Sequence, residues 1–181
     1  MSEAFQWREF KPTILFLVKF VGLYFLLNLT YGWYIERVYP DPDAATIGVT
    51  HQAAWVLSAV GWEATAWNVP AKPTTSIQYQ ARGIVSVYEG CNGLNVGIIF
   101  ISFLVAFGPW NKRLAWFAPV GLLVIHVANL ARIIGLFWVV LYLPNAVYFA
   151  HKYLFTAVIY VVVLVLWMLW LRMNFVNKKT V

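Results

Sequence analysis

The sequence predicts an all-α integral membrane protein with about four transmembrane helices, on three observations. Of its 181 residues, 62% are hydrophobic and only 11% charged, against about 45–50% and about 25% in soluble domains. The apolar residues gather into runs near the ~20 residues that a helix needs to cross roughly 30 Å of hydrocarbon. The basic residues flank those runs, so the net charge of +6 reads as membrane topology and not as a nucleic-acid surface. At this length one polytopic domain, 1–181, is expected, with lipid as its surroundings.

The first predicted span covers about 12–33, preceded by Arg8 and Lys11, with Lys19 inside it and able to snorkel. It is too long for the apolar core of a signal peptide. Tyr31, Gly32, Trp33 and Tyr34 follow in place of a small-x-small cleavage site, so a retained span is expected. A long segment, 34–92, comes next and carries Glu36, Asp41, Asp43, Glu63 and Glu89. Within it, HQAAWVLSAVGWEATAW (51–67) is apolar but short and contains Glu63, which predicts a helix lying on the membrane surface. After a Pro/Thr-rich turn at 70–76, the partial alternation of Ile77, Tyr79, Ile84, Val85 and Val87 predicts one or two short strands broken at Gly83.

The remaining spans are expected at about 93–110, 114–143 and 151–171. The third exceeds one bilayer crossing, so it either tilts or begins as an interfacial turn before Pro119. Lys112 and Arg113 fill the tight connection between spans two and three, and Arg172, Lys178 and Lys179 follow span four. With four spans these groups share one face with Arg8 and Lys11. The positive-inside rule makes that face cytoplasmic, places both termini there, and puts 34–92 outside. Trp33, Tyr34, Trp110, Trp116, Trp138, Tyr142 and Tyr153 are expected at the two interfaces.

The chemistry starts from YEGCNGLNV, 88–96, which holds the single cysteine of the chain between Gly90 and Gly93 at the outer mouth of span two. One cysteine excludes an internal disulfide and leaves either a small buried apolar group or a reactive thiol. Arg132 stands inside the third run, about 18 residues and so roughly 27 Å from its cytoplasmic start at Leu114. A charged residue in a span marks a functional site or an interhelical tether. His151 opens span four and alone reads as an ordinary interfacial histidine. Together, a thiol, a guanidinium and an imidazole converge on one depth from three spans. A cysteine nucleophile needs a base or cation that favours thiolate. His151 can act as the base, and Arg132 can favour the thiolate, stabilise an oxyanion or hold a substrate carboxylate. Gly90 and Gly93 would let a substrate backbone approach closely. Asn129 lies one turn below Arg132 and can bond it or the substrate, while His126 is a reserve candidate for the base. Three histidines and one cysteine without ligand spacing argue against a metal site, and no cofactor is expected.

The stretch E-G-C-N-G-L, then A-N-L-A-R-I-I-G, then the histidine at the head of the last span resembles the exosortase/archaeosortase family. The resemblance is carried by about 85–155, and the first 80 residues hold no diagnostic motif. The compact layout is similar to exosortase F, whereas many relatives have about eight spans. The resemblance implies a membrane cysteine transpeptidase or protease in which Cys91, Arg132 and His151 are catalytic. It implies exported substrates that end in a short sorting signal, a membrane helix and a basic tail. These would be cleaved at the outer face of a bacterial cytoplasmic membrane. Two other readings compete: a non-enzymatic membrane subunit or assembly factor, with an unreactive thiol, and a small transporter using Arg132 for an anion. The transporter reading lacks a pair of interrupted spans in matching halves.

Overall fold

The computed structural model describes residues 7–175, so Lys178 and Lys179 lie outside the described residues. The chain runs α1 (Trp7–Val38), α2 (Ala44–Ala59), a hairpin-connected sheet of β1 (Ala64–Asn68), β2 (Thr75–Tyr79) and β3 (Arg82–Val87), α3 (Leu94–Phe107), α4 (Lys112–Tyr142) and α5 (Phe155–Phe175). A short 3₁₀ turn at Glu89–Cys91 joins β3 to α3, and irregular helical turns fill 144–154 between α4 and α5.

Among the described residues, three helical stretches are long and apolar enough to cross a membrane: Phe10–Val38, Lys112–Tyr142 and Pro144–Phe175. The predicted second span, 93–110, is shorter as a helix. At 14 residues α3 rises only about 21 Å, less than the bilayer core. It stops because Gly108 leaves helical space at φ 64 and Pro109 follows it. Of the tilt or interfacial turn that the sequence allows, the turn does not form: α4 is one continuous helix through Pro119. Asn111 caps it, accepting from the N–H groups of Arg113 and Leu114 at 3.0 and 3.2 Å, so 112–119 is already helical.

The membrane helices share a core of Phe100, Leu104, Phe117, Ile125, Val163, Leu166 and Trp170 from α3, α4 and α5. α1 joins it by edge-to-face packing, Phe16 on Phe107 at 5.2 Å and Phe20 on Phe103 at 6.4 Å. Asn111 donates to Asn174 at 3.2 Å, which puts the 111–113 connection and the end of α5 at one end of the bundle. The aromatic residues expected at the interfaces, from Trp33 to Tyr153, are all exposed on the outside.

The segment between α1 and α3 departs from its predicted boundaries. The surface helix begins earlier and ends earlier than 51–67. Asp43 caps it at the front, and Gly61, at φ 92, turns the chain behind it. Residues 64–67 of the predicted helix belong instead to the strand β1. α2 buries Thr46, Val49, Thr50, Ala53, Ala54 and Leu57, a stripe at three- and four-residue spacing, and leaves Trp55 outside. The hairpin turn is Gln80–Ala81, both at positive φ, and not Gly83. Gly83 instead pairs with Gln78, just before the bulge at Ile84 in the β2–β3 register. A second core, with Leu57, Ile77, Val87, Cys91, Ile133 and Phe137, binds α2 and the sheet to the end of α4.

A buried polar cluster ties this cap to the membrane helices. The Asp43 carboxylate accepts from the N–H groups of Ala45 and Thr46 at 2.9 and 3.1 Å, from the Thr46 hydroxyl, and from Asn92 Nδ2 at 3.3 Å. Asn92 also donates to Tyr31 of α1 at 2.7 Å. Replacing Asp43 by alanine removes an N-cap and strands buried donors. It is expected to cost about 2–4 kcal/mol, read as a lower thermal midpoint in detergent, with Asp43→Asn retaining about half of the cluster's stabilisation.

Candidate active site

Cys91 closes the 3₁₀ turn that follows β3, its N–H donating to the Tyr88 carbonyl at 2.8 Å. Its side chain is 7% exposed and packs on Val87 and Ile133. Two side chains of α4 reach it. Asn129 donates to the Cys91 carbonyl at 3.0 Å, and Arg132 donates from Nη2 to the sulfur at 3.7 Å. A three-residue step puts both on one helix face.

Arg132, Cys91 and His151 line one cavity of about 530 Å³. Its other walls are β3, the apolar residues Ile133, Leu136 and Val140 of α4, and the turn at 144–148. His151 reaches it from a π-helical turn at Ala150–Leu154, where the Phe155 N–H bonds the Ala150 carbonyl. Such a wide turn re-aims a side chain and is common at functional sites. The three residues expected to be catalytic therefore meet around one space.

The supporting residues fall out differently. Gly93, at φ 89, lies against Asn129, and a Cβ there would stand 3.2 Å from its amide. Gly90 is exposed, and a Cβ there would press on the Tyr88 ring. Both glycines thus also fit the cysteine turn to its own neighbours. Gly93→Ala is expected to push Asn129 off the Cys91 carbonyl and to add about 1–2 kcal/mol of backbone strain. The predicted readout is at least a tenfold loss of processing with a modest fall in thermal midpoint. His126, the reserve candidate, is not part of this site. Its Nε2 is 2.6 Å from Gln52 Oε1 and it lines a separate cavity between α2, α3 and α4. Glu89 forms no ion pair with Arg82 or Arg132 among the described residues.

Two features escape the sequence. Tyr88 sits against the thiol, and its phenol is pushed above the usual value near 10, first by the Cys91 charge and then by a hydrogen bond to Cys91. It is a neutral donor at neutral pH. Asn92 anchors the turn from the far side through Asp43 and Thr46. Tyr88 opens the cysteine stretch, and a tyrosine three residues before the cysteine is its only signal in the sequence.

No curated protein and no solved structure gives a significant match. A family model does: the transmembrane exosortase model matches residues 10–170. That range takes in all three candidate spans almost entirely, the sheet, and Cys91, Arg132 and His151. The chain belongs to the transmembrane exosortase family.

Proposed function

We propose that the protein is a membrane-embedded cysteine transpeptidase or protease that cleaves the C-terminal sorting signals of exported proteins. The observation that carries this is the Cys91 sulfur 3.7 Å from Arg132, on a cavity that His151 also lines. In this reading the whole chain, 1–181, is one polytopic domain in a bacterial cytoplasmic membrane, with both termini inside and the site facing outward. Substrates present a short signal, a membrane helix and a basic tail, and the scissile bond lies just before that helix.

The Cys91 thiolate adds to the scissile carbonyl carbon, and Arg132 stabilises the oxyanion or positions the substrate. His151 takes the thiol proton and returns it to the leaving amine as the C–N bond breaks. The resulting thioester then passes its acyl group to an amine or to water, and the thiol is regenerated.

The test is the labelling rate of Cys91 with a membrane-impermeant thiol reagent in intact spheroplasts, across pH, in wild type, Arg132→Ala and His151→Ala. Fast labelling at neutral pH, slowed by either substitution, is expected. Labelling that rises only near about pH 8.5, where an unperturbed thiol ionises, and ignores both substitutions would sink the reading in favour of a non-enzymatic subunit. Labelling only after lysis would reverse the topology.

A further inference from the structure

β3 is an edge strand, since the sheet order is β1-β2-β3 and β3 pairs only with β2. Four consecutive residues, Ile84 to Val87, line the cavity that ends at Cys91. Successive side chains of a strand point to opposite faces. Ile84 is the extra residue of the bulge, but Val85, Ser86 and Val87 alternate beyond it, so a space that touches all three meets the strand along its edge and not on one face. The direction of the edge groups follows from one hydrogen bond. The Ser76 hydroxyl donates to the Val85 carbonyl at 3.2 Å, so that carbonyl turns toward β2. In an antiparallel ladder, neighbouring residues alternate between facing the partner strand and facing away. Ser86 thus turns its N–H and C=O toward the cavity. Among the described residues, no main-chain bond joins β3 to any element other than β2.

We propose that the substrate segment around the scissile bond binds as an extended strand along the free edge of β3, pairing with the main chain of Ser86. This rests on reading the site as one that processes peptides, and it names how the peptide is held. Only an extended polypeptide offers donors and acceptors at the spacing of a strand edge. The strand runs from Ser86 and Val87 directly into the turn that carries Cys91, so a segment paired with it is led past the sulfur. The facing wall is Ile133, Leu136 and Val140, which takes one face of the added strand as apolar side chains. Arg132 is the one permanently charged side chain in the lining, so a lysine or arginine facing it is excluded. The volume, about 530 Å³, lies within the range of ligand sites. Strand pairing also explains how a segment leaving its own membrane helix keeps its backbone groups satisfied at the apolar boundary.

The probe is a synthetic peptide of ten residues ending at the start of the membrane helix of an exported protein that carries such a tail. Its binding to Cys91→Ala protein in nanodiscs is measured by fluorescence anisotropy, and cleavage of the unlabelled parent by wild type is measured separately. Each backbone nitrogen is methylated in turn, which removes one N–H donor and leaves the side chains. A period-two pattern is expected, with binding lost about tenfold or more at alternate positions and little changed between them. In the protein, Ser86→Pro, which removes the cavity-facing N–H and spares the ladder, should weaken binding about tenfold, while Ser86→Ala stays within about twofold. Cleavage with a flat methylation pattern overturns strand pairing and keeps the peptidase reading. A period-two pattern without cleavage does the reverse, and no binding of the parent peptide overturns both.

Discussion

Cys91→Ala is expected to stop processing, a loss on the order of 10⁴-fold or more, the scale on which a covalent nucleophile is missed. The fold should hardly notice. The sulfur is one buried atom in a core that also contains Leu57, Ile77, Val87 and Phe137, and removing it costs about 1 kcal/mol. The measurement is the fraction of a signal-bearing reporter that is shortened in cells, beside the thermal midpoint of the purified protein. Cys91→Ser separates shape from chemistry, because the hydroxyl fills nearly the same space but ionises far less readily. It should be as inactive as alanine. Full processing by either variant would end the covalent mechanism, and an unfolded Cys91→Ala protein would reassign the thiol to packing.

Much of this site is legible in the sequence because membrane thickness converts residue number into depth. Counting along an apolar run places Arg132 near the level where spans two and four start, and so next to Cys91 and His151. The structure closes that inference with the contact at 3.7 Å and one shared cavity. What the sequence conceals is conformation set by tertiary packing. Gln80–Ala81 turns the hairpin at positive φ, although neither residue favours that region and the nearby Gly83 does. Packing of Tyr79 and Trp62 against Phe137 outweighs that local preference. Residues 51–67 read as one helix because apolar periodicity does not distinguish a helix from a following buried strand over so short a stretch. Asp43 reads in the sequence only as one of the outer acids, and nothing local says that it caps α2 or bonds Asn92, 49 positions along the chain. Span length fails at α3 because Gly108, at positive φ, and Pro109 end the helix inside an otherwise continuous apolar run.

Arg132→Ala is the second large effect, and it also decides what the guanidinium does. The residue is half-buried in a helix read as spanning the membrane, where an arginine costs about 2.5–3.5 kcal/mol. A structural tether would recover that cost through a carboxylate, and among the described residues Arg132 has none; its hydrogen-bond partner is the Cys91 sulfur. Removing it should therefore leave the thermal midpoint unchanged or raise it. Processing should fall about 10²–10³-fold, the loss expected for one preorganised donor at a developing oxyanion. Lysine then divides the two roles. A point charge that only favours thiolate is replaceable by an ammonium, whereas a planar fork that holds an oxyanion or a carboxylate is not. Because the guanidinium already lies 3.7 Å from the sulfur with no substrate present, Cys91 labelling at neutral pH should slow in Arg132→Ala and recover in Arg132→Lys. If labelling is the same in all three proteins while processing collapses in both variants, Arg132 acts on the substrate alone. In that case the thiolate depends on His151 and on the Tyr88 phenol that lies against it.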